Sequence, residues 1–217
     1  MGNLFRAGLR MLFAVCIAYP VVLLWLGINV RHRERLPLKG PAIVAANHNS
    51  HLDILTLLSL FPLLAIPRVQ PAAAADYFFK NRWLKWFSLN VVGIIPVVRG
   101  GGVTGDPLEA CYRALEAGKV LVIFPEGTRG EPEQMAELKS GIWYLSKRFP
   151  QAPVVPVYMH GLGKSMPKGS WIPVPFFVSV AVGRHLHWNE GKDVFMASLR
   201  ERLQQLKQKT HVICEEP

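Results

Sequence analysis

At 217 residues the chain is long enough for one hydrophobic core and short for two. Half of its residues are hydrophobic and only 18% are charged, which is greasy for a soluble protein of this size and directs the search to a membrane segment. The formal net charge of +10 suits anionic partners, but no recognition motif, zinc-finger spacing or basic helix supports nucleic acid as one of them.

The apolar segment comes first. Between Arg10 and Arg31 the run MLFAVCIAYPVVLLWLGINV carries no charge. As a helix rising roughly 1.5 Å per residue it is long enough for a hydrocarbon core of about 30 Å. Pro20 removes a helical hydrogen bond near the middle, so two short helices dipping into one leaflet compete with a single span. A buried soluble helix fits less well, because both flanks are basic. A cleaved signal peptide is also disfavoured: the run exceeds the usual apolar core of about 7 to 15 residues, and no small-x-small site precedes RHRERLPLK.

Arg6, Arg10, Arg31, Arg33, Arg35 and Lys39 stand against Glu34 alone in the first forty residues. This layout suits anionic membrane lipids. The larger cluster after the run places the main domain on the cytoplasmic side of the cell (inner) membrane. Residues 1–36 are expected to be a membrane-anchoring segment with a basic linker, and 37–217 a single domain.

Within that domain, residues 37–41 read as a turn and 42–47 (AIVAAN) as a short buried strand. A helix follows over about 51–60. Residues 81–90 (NRWLKWFSLN) are amphipathic, with Trp83, Leu84, Trp86 and Phe87 able to face core or lipid. A strand at 93–98, a glycine-rich loop at 99–105 and a helix at 106–118 come next, with Asp106 as N-cap, Pro107 at its first position and Gly118 ending it. Strand 120–124, helix 134–149, strands 153–161 and 176–183, and a terminal helix 193–209 complete the pattern. Alternation of this kind predicts an α/β fold: one layered domain with a mostly buried mixed sheet flanked by helices, plus the N-terminal membrane-associated helical segment. Cys16, Cys111 and Cys214 are scattered, with no C-x-x-C pair, and point to a reducing compartment and no structural metal.

Three short stretches at the boundaries of buried runs carry chemistry. In AANHNSHLD, Ser50 and Asp53 have capping-box spacing, which gives Asp53 a purely structural reading, and His51 one as a first-turn residue facing water. The chemical reading uses the same bend. An aspartate in the first turn of the helix can meet His48 just before it, fix the imidazole tautomer and leave the other ring nitrogen to take a proton. The spacing H-x-x-H-x-D matches neither H-E-x-x-H nor binuclear hydrolase patterns, so a metal site, and with it a metallohydrolase, ranks below the dyad. The nucleophile elbow G-x-S-x-G of serine hydrolases is missing.

In FPEGTRG, Phe124 to Gly130, Arg129 can grip a phosphate through two parallel hydrogen bonds, with Gly127 and Thr128 offering backbone and hydroxyl donors. In GIIPVVRG, Arg99 ends a strand that Gly93 begins, and could bring a second cation to the same face.

These stretches, in this order, resemble the glycerolipid acyltransferase family typified by 1-acylglycerol-3-phosphate acyltransferase. Asn47, His48 and Asp53 match its first block, N-H-x-x-x-x-D; Gly93 and Arg99 match the second, with Pro96 where phenylalanine is usual. The third block, F-P-E-G-T-R, is complete from Phe124 and Pro125 to Arg129. VVPVY at 154–158 looks like the fourth, and LKSG at 138–141 like the lysine-glycine segment after the third. The resemblance covers roughly residues 36–185.

The resemblance implies that His48 is the general base on the free hydroxyl of a lysophospholipid and that Asp53 orients it. Arg99, Glu126, Gly127, Thr128 and Arg129 would place the glycerol phosphate, with Glu126 binding a hydroxyl or holding the arginines. The co-substrate would be acyl-CoA or acyl carrier protein, with no cofactor, no metal and no covalent acyl-enzyme. Lysophosphatidic acid is the expected acceptor; another lysolipid such as a lyso-ornithine lipid, or a non-catalytic lipid-binding relative, stands as the alternative. His51 has no part in that chemistry.

Overall fold

The computed structural model describes residues 2–78, 81–98, 105–131, 134–166, 174–188 and 191–215. Short runs rich in valine, isoleucine and alanine form strands β1 Ile28–Arg31, β2 Ala42–Ala46, β3 Val69–Ala74, β4 Ile95–Val97, β5 Val120–Ile123, β6 Val154–His160 and β7 Val178–Val182. They make one sheet in the order β1-β7-β6-β2-β5-β3-β4. Every pair is parallel except β6 with β7, which gives the mixed sheet expected.

Neighbouring residues of a strand point to opposite faces, and β2 shows both. Val44 and Ala46 belong to a core that includes Leu57 and Leu58 of helix α2 (Leu52–Ser59) and Phe13 of helix α1 (Asn3–Leu26). Ile43 and Ala45 pack into a second core with Cys111 and Leu115, Ile142 and Leu145, and Phe195 and Leu199. A sheet buried on both faces reads as unbroken apolar strands, which is why AIVAA carries no alternation.

Several elements depart from expectation. The apolar run does not stop at residue 30 as one helix. α1 ends at Leu26, Gly27 turns the chain at φ +65, and residues 28–31 become the edge strand β1. Pro20 does not split the run: α1 is α-helical to Phe13 and continues through wide π-helical turns at Ala14–Ala18 and Val21–Leu26. Phe13, Ala14, Ala18, Val22 and Leu26 face the domain, while Leu24 (84% exposed) and Leu4 point away. Two linker arginines are also turned inward: Arg33 donates to the Leu60 carbonyl and Arg35 to that of Val182.

Strand β3 is unexpected. Its sequence VQPAAA has a proline and no β-branched residue after Val69, yet it pairs with both β5 and β4. Helix α3 (Ala75–Phe78) follows, and then α4 (Arg82–Phe87), capped by the Asn81 side chain, runs into a π-helical turn at Ser88–Val92. Phe87 meets Phe13 edge to face at 5.6 Å, which seats α4 against α1. Helix α5 (Glu109–Glu116) starts later than expected, after a turn in which Asp106 accepts from the Leu108 N–H.

The helix expected over 134–149 is helical only at Gly141–Arg148, α6. The reason is specific: the Ala136 N–H donates to Glu126 and the Lys139 N–H to the Pro125 carbonyl, so this stretch is drawn against the FPEGTR loop. Helices α7 (Leu162–Ser165) and α8 (Lys192–Glu215) complete the chain.

Candidate active site

The site forms where β2 and its parallel neighbour β5 end side by side. Asn47 closes β2: its side-chain amide donates to the Met159 carbonyl at 2.9 Å and accepts from the Met159 N–H at 2.7 Å, which ties the strand end to β6. The chain then turns into α2. In that turn a single carboxylate oxygen, Asp53 Oδ2, accepts from the backbone N–H groups of Asn49 (2.7 Å) and Ser50 (2.9 Å) and from His48 Nδ1 (2.7 Å). The carboxylate thus reaches back to Ser50 as in a capping box. The Ser50 hydroxyl accepts from the Leu52 N–H and donates to the Met166 carbonyl. Cap and dyad are one structure.

Asp53 is 1% exposed and His48 20%, so the pair presents an imidazole edge backed by a buried carboxylate. With Nδ1–H donated to Asp53, the lone pair lies on Nε2, the arrangement a general base needs. The ring stacks on Phe124 with centroids 4.2 Å apart, so carboxylate and phenyl ring together limit its rotation.

The FPEGTR loop supports this dyad from beneath. Glu126 is 2% exposed; Oε1 accepts from the His48 N–H at 2.9 Å and Oε2 from the Ala136 N–H at 2.8 Å. Burial pushes its carboxyl above the usual range, and the two N–H donors oppose that. Both oxygens are thus committed to backbone, and Glu126 clamps the loop to the base without lining the cavity. The Gly130 N–H closes a second link, to the His48 carbonyl.

Gly127 stands at φ +74, its N–H used within the turn on the Phe124 carbonyl. A Cβ there would lie 3.0 Å from Lys139 Cδ, so glycine lets the LKSG lysine lie across the loop. Gly93, at φ +80, meets the Arg10 side chain of α1 in a similar way: a Cβ would fall 2.4 Å from the guanidinium carbon. Arg10 in turn donates to the carbonyls of Pro67, at 3.1 Å, and Val69.

A cavity of about 610 Å³ joins these parts. His48, His51, Thr128 and Arg129 form its polar end; Phe13 and Ile17 of α1, Ile54 and Leu55 of α2, Val92, Ile94 and Phe124 line the rest. The structure therefore brings together His48, Asp53, Phe124, Gly127, Thr128 and Arg129, with Asn47, Pro125 and Glu126 behind them and Gly93 at the α1 junction. Arg99 lies outside the described residues. His51, Lys139 and Arg10 were not expected here. The LKSG lysine and the glycines that admit bulky neighbours were the available signals for the last two. His51, Asp53 and His48 do not converge on a point: His51 turns to Arg129, and among the described residues no cluster of three His, Cys, Asp or Glu side chains could hold a metal ion.

Known proteins resemble this chain in sequence and in fold. The Acyltransferase family profile matches residues 27–160. The chain is 34% identical to the Dictyostelium discoideum protein Taffazin over 169 residues, 73% of this chain and 56% of that one. It is 32% identical to the chloroplastic 1-acyl-sn-glycerol-3-phosphate acyltransferase of Arabidopsis thaliana, over 66% of this chain and 38% of that one. Against the Homo sapiens 1-acyl-sn-glycerol-3-phosphate acyltransferase alpha the identity is 28%, over 61% of this chain and 45% of that one. The chain thus spans 38% to 56% of the length of these three relatives. The crystal structure of the 1-acyl-sn-glycerophosphate acyltransferase of Thermotoga maritima shares the fold, with a TM-score of 0.74 at 19% identity, covering 97% of this chain and 80% of that one.

Proposed function

This chain belongs to the acyltransferase family, and from that premise we propose that it is a membrane-associated O-acyltransferase moving a fatty acyl group from an acyl thioester to the free hydroxyl of lysophosphatidic acid. The product is phosphatidic acid. The observation that carries the reading is the shared cavity: an Asp53-backed His48 and Arg129 border one space of about 610 Å³, and Phe13, Ile17, Ile54, Leu55, Val92, Ile94 and Phe124 give it an apolar lining that suits an acyl chain.

His48 Nε2 takes the hydroxyl proton as the acceptor oxygen attacks the thioester carbonyl, and Asp53 stabilises the imidazolium that forms. The tetrahedral intermediate collapses with cleavage of the C–S bond. The departing thiolate recovers the proton from His48, leaving an ester and a free thiol, with no covalent acyl-enzyme. Arg129, with Thr128 beside it, receives the phosphate of the acceptor; Arg99 is the second candidate cation. The donor is acyl-CoA or acyl carrier protein, anionic partners that suit a basic chain.

The outward apolar face of α1, together with Trp83 (80% exposed) and Trp86 of α4, would rest in the bilayer, with α1 lying along the domain. That packing favours a helix held at one leaflet over one standing across both, and the basic cluster Arg31, Arg33, Arg35 and Lys39 supports a domain on the cytoplasmic side of the cell membrane.

Purified protein incubated with lysophosphatidic acid and an acyl thioester is expected to form phosphatidic acid. His48→Ala and Asp53→Ala should each lower turnover by about a hundredfold or more. Undiminished activity in either variant would refute the assignment, and a marked preference for a lyso-ornithine lipid over lysophosphatidic acid would change the acceptor.

A further inference from the structure

His51 is the member of NHNSHLD that the proposed reaction leaves unused. It sits at the start of α2, and its ring borders the same cavity as His48 and Arg129. Its Nε2 is in hydrogen-bond contact with Arg129 Nη1, across 78 positions of sequence. A guanidinium carries five donors and no acceptor, so the hydrogen runs from Arg129 to the ring, and His51 must be neutral with its lone pair on Nε2. The surroundings favour that state: burial first, then the Arg129 charge and His48, hold its pKa below the ordinary value, with Asp53 opposing. The same contact withdraws His51 from proton transfer, because the lone pair that could act as a base is already occupied.

Arginine is a long side chain whose recognition of phosphate depends on where its planar fork is aimed. Arg129 leaves a loop at the cavity rim, and the imidazole holds one corner of the fork. We infer that His51 is a positioning residue, fixing the Arg129 guanidinium at the polar end of the cavity and thereby setting selection for acceptors that carry a phosphate monoester. The inference rests on the proposed role of Arg129 as phosphate receiver.

The test compares His51→Gln, whose amide oxygen can still accept from Arg129, with His51→Phe, which fills similar space and cannot. Rates are measured with lysophosphatidic acid and with a monoacylglycerol, which offers a hydroxyl without phosphate. His51→Phe is expected to raise KM for lysophosphatidic acid about tenfold with kcat within about twofold, and to leave KM for the monoacylglycerol unchanged. His51→Gln should stay near wild type. In an Arg129→Ala background His51→Phe should have no further effect.

Equal KM changes in the Gln and Phe variants, equal effects on both acceptors, or an undiminished effect without Arg129 would each overturn the inference. Wild-type protein that fails to acylate lysophosphatidic acid would sink the function first. The pairing is then read separately from the His51 ring-nitrogen resonances of labelled protein. A neutral ring with Nε2 as acceptor, altered by Arg129→Ala, upholds it; a protonated ring at pH 7, or one indifferent to Arg129, refutes it.

Discussion

Gly93→Ala is the sharpest test of how α1 is joined to the domain. Two costs add. Alanine at φ +80 occupies the left-handed region, at about 1 to 2 kcal/mol. Its Cβ would also lie 2.4 Å from the Arg10 guanidinium carbon, so the guanidinium must move. Such a move is cheap for the end of a free side chain, but Arg10 is 5% exposed and held by the carbonyls of Pro67 and Val69. Losing those charge-assisted hydrogen bonds costs about 1.5 to 3 kcal/mol more.

The total of about 2.5 to 5 kcal/mol corresponds to a fall in Tm of roughly 5 to 20 °C for a chain of this size. Thermal unfolding in mild detergent, followed by far-UV circular dichroism, reads it directly. An Arg10→Met background separates the two costs: there the same substitution should cost only the backbone part, about 1 to 2 kcal/mol. A Tm within about 2 °C of wild type, or the same penalty with and without Arg10, would refute the reasoning.

Other substitutions address the site itself. Asp53→Asn keeps an acceptor near His48 but removes the charge that stabilises its imidazolium, so kcat should fall by about 10² to 10⁴ with KM little changed. Single-turnover kinetics check it. Glu126→Gln replaces one of two acceptors by a donor facing a backbone N–H; a loss of about 1 to 3 kcal/mol in urea unfolding is expected, together with reduced kcat as the His48 backbone loosens. For His51 the folded-state pKa is depressed, so between the ordinary value of 6.5 and the lower folded value the unfolded chain binds more protons. Its contribution is present above 6.5 and is lost as pH falls. Wild type should therefore lose stability on acidification from pH 7 that His51→Gln does not, as denaturant titrations across that window would show.

Local chemistry was the legible part of this chain. The dyad and the helix cap lie within six consecutive residues, so the bend that starts α2 also brings Asp53 to His48, and spacing alone anticipates the meeting. The layered α/β architecture was likewise readable from apolar strands buried on both faces. What the sequence hides is what depends on distant partners. Ile28, Asn29 and Val30 continue the uncharged run, and they differ from helix only once Gly27 turns the chain and β7 offers an edge. In β3, Pro71 and three alanines carry little strand propensity, and pairing on both sides overrides it. Residues 134–139 have helical periodicity, yet Glu126 and Pro125 take their N–H groups. The His51–Arg129 contact joins segments that no local rule relates.

Helix α1 has two roles, since it gives Phe13 and Ile17 to the cavity wall and Leu4 and Leu24 to the outside. On the proposed reading this bears on the energetics of substrate delivery. Pulling a lysolipid tail of about sixteen carbons through water would cost about 13 kcal/mol, at roughly 0.8 kcal/mol per CH₂. A tail that slides past α1 from hydrocarbon to apolar side chains never meets that barrier, and only the head group and the reacting hydroxyl change surroundings. The two-tailed product can leave by the same lateral path, and its rate of departure should then depend on bilayer fluidity more than on bulk viscosity.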